Sequence, residues 1–524
     1  MLSSTPTAPR RTDVPAADAL PGHVRVAVLG AGFGGIGAAV QLIKAGERDF
    51  ILLERGDDVG GTWRDNHYPG CACDVPSHLY SFSFAPKPDW SRAFATQPEI
   101  YEYLRETAGR FGVMPHVRLG HAVLEVRFDE PTGRWEVRTD RGSLTADVVI
   151  SAVGALSEPS IPALPGVERF RGPAFHTAEW DESIDLNGRR VAVIGTGASA
   201  IQVVPEIAGQ VAHLDVFQRT APWVMPRLDG PIPTWRQRMF RLLPFTQKLT
   251  RGWQYWTREL LALGLLHPRL MTRLERVARA QLRRQVKDPE VRAKLAPTFR
   301  MGCKRILISN TYLPAFNRDN VSLITDGIRE IRESSVVTED GVEHAVDVII
   351  YGTGFHVTDL PMAERLHGRG GHSLAQASGG SLAAYKGTTI AGFPNLFMLL
   401  GPNTGLGHNS VVFMIEAQLR YVMSALAALR REGLRTLEVR PDAQDAFNQE
   451  IQRRMQGTVW MTGGCASWYL DASGRNTTLW PGFTWPFRRQ TARFDRLAYV
   501  GQAERVPVSP TPAIAPAERE PAGV

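Results

Sequence analysis

The stretch Val24-Arg-Val-Ala-Val-Leu-Gly-Ala-Gly-Phe-Gly-Gly35 decides the fold that this sequence predicts. Its first six residues are typical of a buried parallel strand, and glycines follow at the spacing Gly-x-Gly-x-x-Gly. A helical pattern over 36–44, an apolar strand over 50–53 and then Glu54 come next. This order predicts a dinucleotide-binding unit. Bare glycines let the backbone approach a pyrophosphate, the helix N-terminus attracts it, and Glu54 can accept a hydrogen bond from a ribose hydroxyl.

A second copy of the pattern begins with Arg189-Arg-Val-Ala-Val-Ile194 and continues with Gly195-x-Gly197-x-x-Ala200. We expect a helix from residue 199 to 208 and a strand over 214–217. Gln218-Arg219-Thr220 then stands where the first copy has an acid. A carboxylate there would repel a 2′-phosphate, whereas Arg219 would attract it. The sequence therefore predicts NADPH at the second unit and a nucleotide without that phosphate at the first.

The segments around the two copies predict how the units are connected. A β-rich stretch at 117–137, a strand at 146–151 and a Gly/Pro-rich crossing at 152–165 lie between them. A parallel element at 345–351, followed by Gly352-Thr-Gly-Phe355, is predicted to be the return crossing. We therefore expect an α/β protein in which the second Rossmann-like domain is inserted into the first.

Length and composition set broader limits. A chain of 524 residues predicts two or three domains, and its charge of +7 is spread over scattered Arg residues, which favours a solvated surface over a nucleic-acid partner. Four cysteines are too few and too far apart to predict a disulfide framework or a metal site, and they indicate a reducing, cytoplasmic compartment.

No apolar run is long enough to span a membrane. The basic, Leu/Trp-rich helical insertion at 235–299 is expected to pack on its domain rather than contact a membrane.

Two further strings carry a resemblance to a known family. The first comprises Gly60, Gly61, Trp63, Tyr68, Pro69, Gly70 and Asp74, and the second comprises Phe170, Gly172, His176, Trp180 and Asp181. With these strings the chain resembles the flavin-dependent Baeyer–Villiger monooxygenases, within the larger group of flavin-containing monooxygenases. The likeness extends from about residue 24 to 489.

The resemblance implies an FAD domain split around an inserted NADPH domain. The expected division is a disordered arm at 1–22, the first part of the FAD domain at 23–160, the NADPH domain with its helical insertion at 161–345, the second part of the FAD domain with substrate loops at 346–506, and a disordered tail at 507–524. The implied reaction uses NADPH and O2 to insert one oxygen atom next to a ketone carbonyl, through a C4a-peroxyflavin, and yields an ester or lactone.

The resemblance also implies roles for individual residues. Arg305 matches the catalytic arginine, and Asp74 is its expected partner, although an Asp there could instead cap a turn. Lys304 is expected to bind the 2′-phosphate with Arg219 and Thr220. His176 and Trp180 are assigned to coupling between domains, since a lone His among Gly and aromatic residues is more often structural than a general base.

The expected cofactor contacts cover both units, and no metal is expected. Trp63 is predicted to contact the flavin. Trp468 is either the late tryptophan that folds over NADP and substrate or an exposed loop aromatic. The full set is Gly30, Gly32, Phe33, Gly35, Glu54, Arg55, Thr62, Trp63, Asp74, Tyr80, Val123 and Val411 for FAD, and Gly195, Thr196, Gly197, Ser199, Ala200, Arg219, Thr220, Lys304 and Trp468 for NADPH.

Three other functions compete with this one. An N- or S-oxygenating flavin monooxygenase is the nearest, but such enzymes usually carry Tyr and a basic residue in place of Trp180-Asp181. A disulfide reductase needs a reactive cysteine pair, and the one-residue spacer between Cys71 and Cys73 fits that chemistry poorly. A non-catalytic nucleotide sensor would bind FAD without consuming oxygen.

Overall fold

The computed structural model describes residues 19–503. Its strands are, in chain order, β1 (His23–Leu29), β2 (Phe50–Leu53), β3 (Val117–Arg118), β4 (Val123–Asp129), β5 (Arg134–Thr139), β6 (Gly142–Ser151), β7 (Ala174–His176), β8 (Arg190–Ile194), β9 (His213–Phe217), β10 (Val224–Met225), β11 (Leu307–Ile308), β12 (Val321–Ile324), β13 (Ile328–Arg332), β14 (Ser335–Thr338), β15 (Glu343–Ala345), β16 (Val348–Tyr351), β17 (Leu366–His367), β18 (Leu396–Met398), β19 (Leu434–Val439) and β20 (Tyr499–Ala503).

The α-helices are α1 (Phe33–Lys44), α2 (Thr62–Asp65), α3 (Gln97–Arg110), α4 (Ala200–Ile207), α5 (Thr234–Leu242), α6 (Pro244–Leu266), α7 (Thr272–Gln285), α8 (Pro289–Lys294), α9 (Tyr312–Ala315), α10 (Met362–Arg365), α11 (Leu374–Ser378), α12 (Val411–Arg431), α13 (Pro441–Met455), α14 (Val459–Thr462) and α15 (Thr484–Gln490). Short 3-10 turns lie at Met114–His116, Val167–Arg169, Thr177–Glu179, Pro268–Met271, Arg369–Gly371 and Arg496–Ala498.

The first sheet has the order β17-β4-β5-β6-β1-β2-β3, and β18 also pairs with β6. β1 lies parallel between β2 and β6, with Val28 opposite Leu52 on one side and Ile150 on the other. All three side chains are fully buried, as expected for a parallel strand covered on both faces. β4, β5 and β6 form the antiparallel part. The predicted β-rich stretch at 117–137 corresponds to β3, β4 and most of β5.

The second sheet is entirely parallel and has the order β12-β9-β8-β16-β7. Its first strand in the chain follows β6, and the chain returns to the first sheet with β17 and β18. The second Rossmann-like unit is therefore inserted into the first, and this confirms the predicted fold class. Smaller sheets pair β10 with β11, β19 with β20, and β13 and β15 with β14.

Two predicted boundaries were wrong. The prediction that the element at 345–351 is the return crossing, and that the second FAD segment starts at 346, is wrong because β16 lies inside the second sheet between β8 and β7. Hydrophobic pattern alone cannot tell which sheet a buried strand joins. Residues 19–22 were assigned to a disordered arm, yet the Gly22 carbonyl accepts a hydrogen bond from the Thr145 N–H at 3.1 Å. The rest of the arm and the tail lie outside the described residues.

The long helix α12 packs against α1 and covers the first sheet. By length and composition it is the one candidate for a membrane span in the part of the chain that the structure describes, but most of its apolar window is buried inside the fold. Glu416 and Arg420 interrupt the apolar pattern of this helix, so the sequence predicts no spanning run. The burial shows that α12 serves here as a core helix.

Candidate active site

The first glycine turn is shaped to receive a phosphate group. Gly30 has φ +93°, and a Cβ there would lie 2.8 Å from the Ala152 carbonyl oxygen, so the protein itself requires this glycine. A Cβ on Gly32, in contrast, would meet no atom nearer than 3.7 Å. In the described structure the N–H groups of Phe33 and Gly35 donate to no acceptor. Bare backbone and free donors at the start of α1 fit the pyrophosphate of FAD.

Glu54 lies at the carboxyl end of β2 and is buried beside this turn. Its Oε2 accepts from the Ala31 N–H at 2.8 Å, and its Oε1 accepts from the Gly56 N–H at 2.8 Å and from Arg64 at 2.9 Å. A carboxylate offers about four lone-pair sites, so Oε2 retains one for a ribose hydroxyl. Arg55 follows Glu54, and its guanidinium donates to the Ser157 carbonyl in the crossing segment at 2.8 Å. Its contact with FAD stays a prediction.

Three aromatic side chains predicted to bind FAD, of which Trp63 is predicted to contact the flavin, come together near the start of α1. The Tyr80 ring lies edge-on to Phe33 at 5.1 Å and to Trp63 at 5.6 Å between ring centroids. The Trp63 indole N–H donates to the Tyr80 hydroxyl at 3.2 Å, and burial raises the pKa of Tyr80. Thr62 begins the short helix that carries Trp63. Their contact with flavin remains a prediction.

Two predicted FAD residues begin elements of the same domain. Val123 starts β4, two residues after His121, whose N–H donates to the Glu54 carbonyl at 2.8 Å. Val411 starts α12, directly after the loop at 401–410. The structure thus places Val123 close to the acid of the first turn and Val411 at the end of the helix that packs on α1.

The second glycine turn repeats this arrangement. Gly195 has φ +110°, and a Cβ there would lie 2.4 Å from the Gly352 carbonyl oxygen, whereas a Cβ on Gly197 would meet nothing nearer than 3.8 Å. In the described residues the N–H groups of Gly197 and Ser199 have no acceptor before α4 begins at Ala200. This turn therefore also fits a pyrophosphate.

Of the residues predicted to hold the 2′-phosphate, Thr220 contacts the second turn, and Arg219 lies near enough to Lys304 to affect its pKa. Burial, followed by the positive charge of Arg219, lowers the pKa of Lys304, so the two cations are close in space. Neither forms an ion pair with a carboxylate in the range 19–503. The Thr196 hydroxyl donates to the Thr220 carbonyl at 3.2 Å, which joins the loop after β9 to the turn. Two neighbouring cations without a carboxylate fit the extra phosphate of NADPH.

Arg305 and Asp74 form a bidentate pair across the domains. Arg305 Nε donates to one carboxylate oxygen at 2.9 Å and Nη2 donates to the other at 2.8 Å, while Nη1 donates to the Leu406 carbonyl at 3.0 Å. The side chains of Arg305 and Asp74 are 30% and 29% exposed, so a bound ligand can contact the pair. The expected partnership of the two residues is present, and Asp74 does more than cap a turn.

Each member of the Arg305–Asp74 pair favours the charged form of the other. The negative charge of Asp74 raises the pKa of Arg305 above its ordinary value, despite burial. Burial by itself would raise the pKa of Asp74, but the charge and hydrogen bonds of Arg305 lower it below its ordinary value. A guanidinium has five N–H donors, and three are used here, so one on each terminal nitrogen remains free. Those two donors can bind a developing negative charge.

Sequence reasoning missed the residues that surround this pair. Arg258, from α6, lies near enough that the charges of Asp74 and Arg305 affect its pKa, which burial lowers. Tyr469 is buried, and burial raises its pKa to about 12, although the charge of Arg305 opposes the rise. Nothing in the local sequence around Arg258 indicates a site, whereas Tyr469 directly follows Trp468, which the sequence had already singled out.

Glu259, next to Arg258, organises the loop that contacts Arg305. Its buried carboxylate accepts from Asn409 Nδ2 at 2.7 Å and from the Thr484 N–H at 2.9 Å, and it lies 3.3 Å from His408 Nε2. Burial by itself would raise the pKa of Glu259, but these hydrogen bonds and His408 lower it. The loop at 401–410 is thereby tied to α6, and its Leu406 carbonyl orients Arg305.

The two family strings contact each other and the second domain. His67 Nε2 lies 3.0 Å from the Trp180 carbonyl, and the Tyr68 hydroxyl donates to Gln202 Oε1 on α4 at 3.0 Å. A Cβ on Gly70 would lie 2.9 Å from the Gln202 carbonyl oxygen, which explains the glycine of that turn. The first string is therefore a bridge from the FAD domain to the NADPH domain.

His176 lies at the end of β7, opposite Tyr351 at the end of β16, where the chain leaves the second sheet. It is fully buried, and burial lowers its pKa to about 4, so the ring is neutral near neutral pH. Its Nδ1 accepts from the Ala178 N–H at 3.1 Å. This placement supports the predicted structural role at the junction over proton transfer.

One inference from the cysteines was wrong. Cys303 and Cys465 form a disulfide across 162 residues, with their Cα atoms 6.2 Å apart, because the fold brings distant segments together. The cysteine count therefore gives no support for a reducing compartment. The bridge ties the Arg305 segment to the loop of Trp468, which is 46% exposed. Cys71 and Cys73 are free, buried thiols whose pKa values are raised by burial, so they are poor nucleophiles.

The sequence of this chain is similar to a family model and to two known monooxygenases. The family model described as flavin-binding monooxygenase-like matches residues 23–367. A Baeyer-Villiger monooxygenase of Streptomyces coelicolor is 53% identical over 479 residues, which cover 91% of this chain and 92% of that protein. A Baeyer-Villiger monooxygenase of Pseudomonas aeruginosa is 48% identical over 480 residues, which cover 91% of each chain.

Solved structures match over nearly the whole fold. Cyclohexanone monooxygenase from Rhodococcus sp. Phi1, bound to NADP+, superimposes with a TM-score of 0.83 at 29% identity, and the match covers 93% of this chain and 100% of that one. A steroid monooxygenase bound to NADP gives a TM-score of 0.82 at 31% identity, with 92% and 100% covered. A structure with the same architecture holds both FAD and NADP.

Proposed function

The chain belongs to the flavin-binding monooxygenase-like family and is an FAD- and NADPH-dependent Baeyer–Villiger monooxygenase, and on this premise we propose that its substrate is an apolar ketone. The reaction consumes one ketone, one O2, one NADPH and one proton, and it yields one ester or lactone, NADP+ and water. The chemistry that bound FAD supplies is acceptance of hydride from NADPH and activation of O2.

The proposed reaction depends on the hydrogen-bond donors of Arg305. When the ketone carbon is attacked, negative charge develops on the carbonyl oxygen, and the two free N–H donors of Arg305 stabilise that charge. Asp74 holds the guanidinium in one orientation through two hydrogen bonds, and Leu406 fixes its third nitrogen. Since the donors are fixed before the reaction, little free energy is lost in orienting them.

The second domain selects the nucleotide. Lys304 directly precedes Arg305 in the chain, so one segment contributes both the proposed phosphate-binding cation and the proposed catalytic guanidinium. Binding of the 2′-phosphate by Arg219 and Lys304 would therefore also position the segment of Arg305. We propose this arrangement as the link between nucleotide binding and the catalytic pair.

The substrate class follows from the surroundings of the pair. The helical insertion contributes Arg258 to this site. Cys303, two residues before Arg305, packs in a core cluster with Leu265, Met271, Trp460 and Tyr469. We infer that apolar residues next to the charged pair favour an apolar ketone over a charged one.

A ketone and sulfide panel tests this function. Purified enzyme with FAD is given each compound, and NADPH consumption is measured beside the product mass under 18O2. We expect ketones to gain one 18O atom with matching NADPH consumption. Oxygenation of sulfides without any ketone product, or NADPH consumption without product, would reject the proposal.

A further inference from the structure

A row of large apolar side chains runs along α6 on the surface of the protein. Its members follow one another at spacings of three or four residues, which places them on one face of a helix. They are between 37% and 73% exposed in the structure of residues 19–503. We call the following set the apolar stripe: Phe245, Leu249, Trp253, Trp256, Leu260 and Leu263.

The stripe is too long and too regular to be scattered surface hydrophobicity. α6 has 23 residues and is therefore about 34 Å long, and the stripe covers most of that length. Other residues of α6, among them Gln247, Glu259 and Leu265, are buried in the protein. A continuous exposed apolar patch of this kind marks a docking surface.

The exposed charge of the segment that carries the stripe is of one sign, although Arg241 also pairs with Asp89 at 2.7 Å. Between residues 234 and 285 the chain has twelve Lys and Arg side chains but only two acidic ones, Glu259 and Glu275, and both acids are buried. Exposed acidic side chains are thus absent from this range. The exposed cations are Arg238, Arg241, Lys248, Arg269, Arg273, Arg276, Arg279, Arg283 and Arg284.

We propose that the apolar stripe docks the protein onto the surface of an anionic lipid bilayer, with α6 lying in the plane of the interface. Trp253 and Trp256 are suited to the headgroup level, where an indole ring can be partly apolar and partly hydrated. Leu and Phe side chains would enter the acyl boundary, and the surrounding cations would face anionic headgroups.

A second copy of the chain is the less favourable occupant. A two-fold contact through the stripe would bring two such basic surfaces together with no exposed acid from this range to compensate them. A helix crossing the membrane is also excluded for α6, because its Gln247 and Glu259 side chains are buried inside the protein. The charge pattern therefore favours lipid over self-association.

Docking would place the bilayer close to the reaction site. Arg258 and Glu259 lie on the protein side of α6. The charges of Asp74 and Arg305 affect the pKa of Arg258, and Glu259 accepts a hydrogen bond from Asn409 in the loop at 401–410. Only the thickness of one helix, about 10 Å, would separate the lipid surface from this layer of residues.

Vesicle flotation of the full-length, FAD-loaded enzyme tests the proposal. We expect binding to vesicles of phosphatidylcholine and phosphatidylglycerol in equal amounts, weak binding to phosphatidylcholine alone, and a loss of binding as salt is raised. The variant L249E/L260E should bind about tenfold less or weaker still, since two leucines leave the interface and two negative charges enter it.

The matched control is Leu497→Glu, because Leu497 is 89% exposed but lies outside the stripe. It should bind vesicles like the parent, and all variants should keep bound flavin and their melting temperature. Absent binding to anionic vesicles, equal binding to both vesicle types, or equal binding by L249E/L260E and the parent would overturn the proposal. So would a parent dimer that L249E/L260E converts to a monomer in analytical ultracentrifugation, because the stripe would then be covered by a second copy.

Discussion

Replacement of Arg305 tests the proposed reaction most directly. Arg305→Ala removes both the charge and the donors, whereas Arg305→Lys keeps a charge but cannot reproduce the planar fork that meets Asp74 with two hydrogen bonds. We expect both variants to accept hydride from NADPH into FAD at nearly the parent rate. Ester formation should fall strongly in Arg305→Ala and less in Arg305→Lys.

The size of the loss follows from the hydrogen bonds of Arg305. Three of its five donors are held by Asp74 and Leu406, so two are available for the carbonyl oxygen. Loss of a single donor to a developing oxyanion costs about 2.7–4 kcal/mol, or roughly 10²–10³ in kcat. Arg305→Ala should therefore lower ester formation by at least that factor.

The assay separates the two half-reactions. Anaerobic stopped-flow absorbance measures flavin reduction by NADPH, and product mass together with hydrogen peroxide measures the fate of O2. Arg493→Ala is the control, since Arg493 is exposed and has no hydrogen bond in the part of the chain that the structure describes. It should match the parent in both steps.

A structural role for Arg305 would give a different pattern. Because Arg305→Ala leaves Asp74 without its partner, a folding defect could imitate a catalytic one. The double variant D74N/R305A removes the uncompensated charge and should recover the parent melting temperature but not ester formation. Recovery of ester formation in the double variant, or equal loss of flavin reduction and ester formation in Arg305→Ala, would refute the catalytic role.

Three further predictions concern binding and stability. Arg219→Ala should raise the KM for NADPH by roughly 10–100-fold, as expected for one charged hydrogen bond, and leave the KM for NADH nearly unchanged; equal changes in steady-state kinetics would remove the phosphate assignment. Since the pKa of His176 falls from 6.5 to about 4 on folding, the unfolded chain binds the extra proton between these values. The free energy of unfolding of the parent should thus fall by up to about 3 kcal/mol as pH falls through this window, and that of His176→Gln should fall less. Urea melts at several pH values measure both, and equal pH dependence in the two proteins would contradict this. Glu259→Ala should lower the free energy of unfolding by about 3–5 kcal/mol and Glu259→Gln by less, because the carboxylate holds Asn409 and Thr484; an unchanged thermal melt would contradict this.

Much of the fold could be predicted because its signals are local. The glycine spacing at Gly30 and Gly195 dictates tight turns whose backbone conformations other residues rarely adopt, and the apolar runs before them dictate buried parallel strands. The ends of the elements were less certain: α1 begins at Phe33, inside the glycine turn, whereas the pattern predicted residue 36. Helix N-termini without a capping side chain give little sequence signal.

By itself, the sequence determined that the chain binds two dinucleotides in two Rossmann-like units, because backbone turns and strand burial depend on residues that are neighbours in the chain. Only the tertiary structure decided that β16 joins the second sheet, that Cys303 meets Cys465, and that Arg258 and Tyr469 surround the Arg305–Asp74 pair. These contacts join segments far apart in sequence. Their free energy depends on distance and burial in the folded chain, which no local spacing of residue types encodes.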